Sequence, residues 1–418
     1  MFGRLKWKAR YSVLTVLFVT WVVSFMDRMV MSVAIPYIAV DYNLSPIAMG
    51  VAMSAFFAGY SISQVPGGVL SDKFGVRRVA AGAMVWWSVF TAVTGAVTNI
   101  TQMLIARFVF GLGEGLFPAC AFKTISVWFP QKERSTANAL MLASNSLGPA
   151  LTPLFVVGIM SLWGWRGVFY SLCIPGILIM ILFWIFVTDK PVDSKRVSPE
   201  ELIEIEGDSI VATATSETKV GFRSLFKDRI VMTCFLTLFT FDITLWGFMS
   251  WIPTYLVKVR GFSMVEMGVA ASLPFFAGVI GCILGGWFSD KYFSERRKIP
   301  IIAAQLLSAL FLYLTVMTTN TAMLIIYMVL CGACIKFFIS AFWALPMNLI
   351  PKTLMGTASG FINMAGQIAA FVSPIIIGYL VGVADGQFAT AFMFIIGTAL
   401  VSCAIVFTLP AKIQNKSV

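Results

Sequence analysis

The chain contains no histidine. That excludes serine–histidine catalysis and any metal site built on imidazole. It also removes the side chain that ordinarily titrates near neutral pH, so proton chemistry falls to carboxylates. Charge is scarce as well: Asp, Glu, Lys and Arg make up 12% of 418 residues. A soluble chain carries about twice that fraction. There is no phosphate-cradling loop of the Gly-Lys-Ser type, which argues against ATP-driven work. The seven cysteines all lie in apolar segments and imply no disulfide framework. Cys331-x-x-Cys334 looks like half a zinc site, but it has no second pair, and packing is the better account. No metal, no other cofactor and no enzyme activity are expected.

What the chain has instead is apolar surface, with 59% hydrophobic residues. They come in runs such as Tyr11–Met26, Val79–Val97 and Phe388–Leu409. Runs near twenty residues cross a bilayer core as a helix. Twelve spans are predicted, at about 12–35, 47–70, 79–98, 102–127, 135–160, 166–188, 229–256, 264–288, 299–318, 321–345, 354–381 and 387–409. The fold class is therefore an all-α membrane protein. Its divisions are a six-helix half over 1–188, a linker over 189–228 and a second six-helix half over 229–418. Arg4, Lys6, Lys8 and Arg10 precede the first run, which reads as a retained span and not a cleaved leader. The net charge of +11 does not point to nucleic acid, because twenty-three of the thirty Lys and Arg fall on one side of the spans. That asymmetry makes the basic side, with both termini, cytoplasmic. Within the linker, Ser198, Pro199 and Glu201 form a helix-start signal. Gly221–Lys227 reads as a basic interfacial turn.

The chain also repeats itself. Ser71-Asp72-Lys73-Phe74 recurs as Ser289-Asp290-Lys291-Tyr292, 218 residues on, each copy behind a glycine pair and ahead of an arginine pair. Ile35-Pro36-Tyr37 is echoed by Ile252-Pro253-Thr254-Tyr255, and Thr136-Ala137 with Pro153 by Thr357-Ala358 with Pro374. A period of half the chain in an apolar sequence means a duplicated, two-halved membrane transporter.

The segment Gly68-Val69-Leu70-Ser71-Asp72-Lys73-Phe74-Gly75-Val76-Arg77-Arg78 resembles the signature loop between spans 2 and 3 of the major facilitator superfamily. Asp27-Arg28, Arg107 with Gly111-Leu112-Gly113-Glu114-Gly115, Trp128-Phe129-Pro130 and Gly164-Trp165-Arg166 resemble, more narrowly, its anion:cation symporter family. Bacterial members of that family carry sugar acids and other organic anions with protons, and it is related to the vesicular glutamate and sialic acid carriers. The resemblance implies two pseudo-symmetric six-helix halves, each of three-helix repeats, that alternate access around a midplane site. It places the chain in the bacterial inner membrane, where a monomer is expected, with the lipid bilayer as its surroundings. The loop residues Gly68, Asp72, Lys73, Gly75 and Arg77, with Asp290 in the second copy, are expected to act as a cytoplasmic latch.

Charges at membrane depth need a reason. Asp27, Arg28, Arg107, Glu114, Lys123, Asp242 and Lys336 are the ones counted. Arg107, Gly111 and Glu114 share a helix face, and Gly111 leaves room for a ligand or a neighbouring helix. One arrangement pairs Asp27 with Arg107, and Arg28 with Glu114 or the substrate. Asp27 and Glu114 are the candidates for the coupled proton, and Arg28 and Arg107 for binding an anion. Lys123 reads as snorkelling toward the basic side. Lys336 can bind a second acidic group of the substrate or pair with Asp242, and both readings stand. Tyr60 with Gln64, Asn145, and Asn363 with Gln367 can read hydroxyls, or simply bond between helices. The family resemblance favours Tyr60, Asn145 and Asn363 as substrate contacts. The function expected is proton-coupled symport of an aldonate, uronate or aldarate. The alternatives are uptake of an aromatic carboxylate or a sulfonate, proton-driven multidrug export, and a transporter-like sensor.

Overall fold

The computed structural model describes residues 7–207, 228–293, 296–350 and 352–409. The Gly221–Lys227 turn lies outside them. The described residues form helices α1 (Ala9–Asp41), α2 (Pro46–Phe74), α3 (Val76–Ala96), α4 (Ile100–Glu114), α5 (Phe117–Trp128), α6 (Gln131–Leu142), α7 (Ser144–Phe186) and α8 (Pro199–Gly207). They continue as α9 (Arg229–Lys258), α10 (Met264–Tyr292), α11 (Lys298–Met317), α12 (Thr321–Leu349), α13 (Lys352–Val383) and α14 (Ala389–Phe407). Several starts are written in the sequence. The side chains of Asn99, Asp228 and Asn320 accept from the first free N–H groups of α4, α9 and α12. Ser263 and Glu266 form a reciprocal capping box at α10.

Eleven helical stretches among the described residues are long and apolar enough to span a membrane. One of them, Gln131–Phe186, runs for 56 residues. At about 1.5 Å per residue it exceeds twice the ~30 Å apolar core. It is broken at Gly164, whose φ of 65° and ψ of −177° are not helical. That break falls between the fifth and sixth predicted spans, so twelve crossings fit the chain. The fourth span is also interrupted, between Glu114 and Phe117. Pro118 cannot donate to the carbonyl of Glu114, and its ring crowds that oxygen, so the helix turns there.

The chain folds as two compact units. The first holds residues 7–30, 55–149 and 158–207; the second holds 31–54, 150–157 and the described residues from 228 onward. In the second unit, glycine permits backbone contact between α2 and α13. A Cβ at Gly50 would lie 2.3 Å from the Pro374 carbonyl oxygen, and one at Gly378 would lie 2.5 Å from that of Pro46.

In the first unit α8 is clasped to the start of α1. The Glu201 carboxylate accepts from the backbone N–H groups of Ala9 and Arg10, both at 3.0 Å. Glu204 pairs with Lys8 at 2.5 Å and with Arg10 at 2.9 Å, and Arg10 also reaches Glu133 of α6 at 3.0 Å. At the helix-start signal Ser198 Oγ accepts from the N–H of Glu201, whose carboxylate is turned to α1 and not back to Ser198. The hydrogen bond from Lys8, then that from Arg10, holds the Glu204 carboxyl below its ordinary range.

Candidate functional site

In the first unit the four membrane charges of spans 1 and 4 are brought together, each about 92% buried or more. Arg28 Nε donates to Glu114 Oε1 at 2.5 Å, and Ser24 Oγ donates to the same oxygen at 2.6 Å. Arg28 Nη2 reaches Ser24 Oγ at 3.4 Å. Glu114 Oε2 is buried with no hydrogen-bond partner among the described residues. The Arg28 guanidinium lies over the Tyr60 ring at 4.3 Å and the Phe25 ring at 4.6 Å, with Phe56 and Trp21 farther out at 5.5 and 5.7 Å. Aromatic faces compensate part of the desolvation of a buried guanidinium without neutralising it. Of the two partners the sequence offers Arg28, Glu114 or the substrate, the structure shows Glu114.

Arg107 and Asp27 do not form a side-chain ion pair. Arg107 Nη2 donates to the backbone carbonyl of Asp27 at 3.2 Å, and its Nε and Nη1 are buried with no hydrogen-bond partner among the described residues. Asp27 Oδ1 accepts from Thr91 Oγ at 3.3 Å, and Oδ2 has no partner. Adjacent residues on a helix point about 100° apart, so Asp27 turns to α3 while Arg28 turns to α2 and α4. Each carboxylate therefore has one engaged oxygen and one bare buried oxygen. Since an unpaired buried acceptor is costly, the bare oxygen is a ready seat for a proton.

Glycine sets these depths. A Cβ on Gly111 would fall 2.2 Å from the Phe56 carbonyl oxygen, and one on Gly59 would fall 2.1 Å from that of Phe108. Gly111 thus admits the neighbouring helix α2, not a ligand. The close contact brings Tyr60, in α2, level with Arg107 and Glu114. The Tyr60 hydroxyl faces both Arg28 and Gln64. Asn145 of α7 presents a buried Oδ1 with no partner.

The second unit holds the remaining candidates. Asn363 is exposed on α13, and Gln367, one turn on, has a buried Oε1 with no partner. Asp242 of α9 is buried with its Oδ1 unpartnered, and Lys336 sits in α12.

The loop between α2 and α3 is built within the first unit. Asp72 pairs with Lys123 at 2.6 Å, and Lys123 also donates to the Ser71 carbonyl at 3.0 Å. Lys123 thus has a specific partner in place of the expected snorkelling. Gly75 has φ 85°, and a Cβ there would fall 2.5 Å from a carboxylate oxygen of Asp189. The other Asp189 oxygen accepts from the Arg77 N–H at 2.9 Å, serving the open start of α3 as a capping side chain would. The Arg77 side chain donates to the Trp184 carbonyl at 3.0 Å and stacks on its ring at 4.4 Å. Among the described residues Lys73 and Gly68 make no such contact: Lys73 is exposed near Phe74, and Gly68 has ordinary space. In the second copy Asp290 pairs locally with Arg297 at 2.7 Å.

Sequence reasoning passed over Trp21, Ser24, Phe25, Thr91, Trp184 and Asp189. The first three had a signal, since they lie seven, four and three residues before Arg28 on the same helix face. Thr91 and Asp189 had none, because their partners are distant in sequence.

The family model described as Major Facilitator Superfamily matches residues 17–374. The chain is similar to the probable galactarate/D-glucarate transporter GarP of Escherichia coli, with 33% identity over 421 residues, covering 94% of this chain and 93% of that one. It is similar to the probable sulfoacetate transporter SauU of Cupriavidus necator, with 31% identity, covering 90% and 88%. Among solved structures it is similar to a bacterial homologue of the human lysosomal transporter Spinster in an inward-facing, occupied conformation. The TM-score is 0.80 at 16% identity, covering 95% of this chain and 96% of that one.

Proposed function

The chain belongs to the major facilitator superfamily, and from that premise we propose that it is a proton-coupled symporter of a small organic anion, a sugar acid, working by alternating access. It is a multi-pass membrane protein, not an enzyme. The observation that carries the reading is the Arg28–Glu114–Ser24 network, with its bare Glu114 oxygen. A buried ion pair contributes little to stability relative to apolar packing, so such a pair points to use. A proton arriving at Glu114 neutralises the carboxylate and releases the Arg28 fork. A substrate carboxylate then takes that fork in a charge-assisted, two-point contact. Arg107 offers two further open N–H donors, and Asp27 a second proton seat. Tyr60, Gln64, Asn145, Asn363 and Gln367 supply polar groups suited to sugar hydroxyls.

Relatives named as galactarate/D-glucarate and sulfoacetate transporters support an anionic substrate. The clustering of basic residues supports a cytoplasmic location for both termini, and division into halves at 1–188 and 229–418 follows the internal repeat. The carrier acts as a monomer, since one chain holds both halves. The test is direct. Purified protein is reconstituted in vesicles containing a pH-sensitive dye, and D-glucarate or D-galactonate is added outside. Substrate-driven acidification of the lumen is expected; uptake of label with no proton movement would overturn symport.

A further inference from the structure

The start of α3 carries two arginines with different surroundings. Arg77 is committed, through its N–H to Asp189 and its side chain to the Trp184 carbonyl. Arg78 is exposed and makes no hydrogen bond or ion pair among the described residues. Asp72 and Asp189, the acids that meet this loop, already have partners in Lys123 and the Arg77 N–H. Arg78 is nonetheless a shared wall of two apolar grooves in the first unit, both lined largely by exposed side chains. The larger, about 680 Å³, runs between α2 and α3, where Ile62, Pro66, Leu70 and Phe74 line it with Val79 and Trp86. The smaller, about 560 Å³, runs between α3 and α7, where Val85 lines it with Ile181, Trp184 and Ile185.

The grooves share one further residue, Gly82, a turn beyond Arg78 on α3. A Cβ there would meet nothing within 4 Å, so packing inside the protein does not demand the glycine. Its missing side chain keeps the ridge between the grooves low. The aromatic walls on either side are fixed. Trp86 Nε1 donates to the Val109 carbonyl at 2.8 Å, and the Trp184 ring lies against the Arg77 guanidinium at 4.4 Å. Along α2 the larger groove extends from Ile62 to Phe74, about 18 Å of helix. That is the depth of one leaflet of the ~30 Å apolar core. Ser63, in the same groove, gives its hydroxyl to the Gly59 carbonyl at 3.1 Å, and the Trp86 indole is spent on Val109. A sugar acid would find no free hydroxyl partner there. A single packing helix would fill one groove, not two on either side of α3. Two apolar grooves that meet at one guanidinium match two acyl chains beneath one phosphate.

We propose that Arg78 and the two grooves form a binding site for one anionic diacyl phospholipid. The headgroup phosphate takes the Arg78 guanidinium in a two-point contact. One acyl chain lies between α2 and α3, and the other crosses at Gly82 to lie between α3 and α7. Charge selects the lipid. A zwitterionic headgroup brings its own cation, which competes with Arg78 for the phosphate, whereas an anionic one leaves the phosphate to the arginine. The chains contribute through fit, because apolar contact inside a bilayer is gained by packing and not by escape from water. The site stands apart from the charged cluster of spans 1 and 4 and does not depend on what is carried.

The test uses the purified full chain in detergent, stripped of lipid, with native mass spectrometry counting the lipid bound. Three probes are titrated in: dioleoyl phosphatidylglycerol, dioleoyl phosphatidylcholine and the single-chain oleoyl lysophosphatidylglycerol. Wild type should bind phosphatidylglycerol with a Kd roughly tenfold lower than phosphatidylcholine, as expected for one charge-assisted contact. It should also bind phosphatidylglycerol more tightly than the single-chain form. Arg78→Gln should bring the two diacyl lipids to near-equal affinity. Gly82→Leu raises the ridge without touching another protein atom. Leucine favours a helix over glycine, so the thermal midpoint without lipid should hold or rise. The advantage of two chains over one should nevertheless vanish, while the preference for the anionic headgroup stays. Equal affinity for both diacyl lipids in wild type, or a preference that survives Arg78→Gln, overturns the site. So does a two-chain advantage untouched by Gly82→Leu. A change from dimer to monomer in Gly82→Leu with lipid binding intact overturns it as well, and assigns the grooves to a second copy of the chain.

Discussion

Arg28 is held as a fork, with Nε on Glu114 and Nη2 turned to Ser24. Lysine offers a single point charge and cannot make both contacts while facing a carboxylate. Arg28→Lys should therefore lower uptake by roughly 10- to 100-fold, the loss of one or two charge-assisted hydrogen bonds, with the protein still present in the membrane at wild-type level. Uptake of labelled substrate against a surface-expression control checks this, and near-normal rates would show that only charge matters at Arg28. Much of this chemistry is legible in the sequence: four charges in apolar spans stand out against any hydropathy profile, and pairing of Arg28 with Glu114 or with the substrate is one arrangement they allow. The choice Arg107 makes is not legible. Whether a guanidinium meets the Asp27 carboxylate or its backbone carbonyl depends on how far α1 is rotated, and helical spacing does not encode that rotation. The aromatic cage is half legible, since Trp21 and Phe25 repeat on the Arg28 face, but Tyr60 and Phe56 join it only through α2.

Among the elements, contact between α2 and α4 positions the site, and it is made by backbone. Gly111→Ala puts a Cβ 2.2 Å from a carbonyl oxygen that cannot rotate away. The helices must separate, at a cost of about 1–3 kcal/mol. Gly158→Ala meets nothing within 4 Å and serves as the matched control. Thermal unfolding in detergent should show a lowered midpoint for the first variant and an unchanged or slightly raised one for the second. The α8 clasp offers a pH test. Glu204 has its folded-state value lowered by Lys8 and then Arg10, so its contribution is present above the ordinary glutamate value of about 4.3 and is lost as pH falls through the lowered one. Amide protection of α8 should hold steady from neutral pH down to about 4.5 and drop only below that; loss already at pH 6 would assign the clasp to another group. The start of α8 is legible from Ser198 and Pro199. Its docking is not, because Glu201 and Arg10 lie 191 residues apart and no local pattern joins them.

At the scale of the whole molecule, the duplication is legible through the repeat of Asp72 as Asp290. What the repeat does not encode is that the copies are wired differently, Asp72 to a lysine on another helix and Asp290 to an arginine seven residues on. The twelve crossings are legible because the bilayer imposes a length. The backbone approach of Gly50 to Pro374 is not, since a glycine in an apolar run carries no address. If the loop is a latch, Asp72→Asn should shift the carrier toward the state open to the cytoplasm, by at most the ~1–3 kcal/mol of one charge-assisted contact. A reporter thiol in a cytoplasmic-side position, in an otherwise cysteine-free background, should then label faster. Unchanged or slower labelling in folded protein would make the loop a structural turn. Everything else depends on one claim, that a proton on Glu114 is exchanged for the hold on Arg28. Glu114→Gln carries that proton's shape permanently, so Arg28 stays free to bind while coupling is lost. In proteoliposomes the variant should exchange labelled for unlabelled sugar acid across the membrane, yet fail to accumulate it when a proton gradient is imposed. Gradient-driven accumulation that persists in Glu114→Gln would contradict the account.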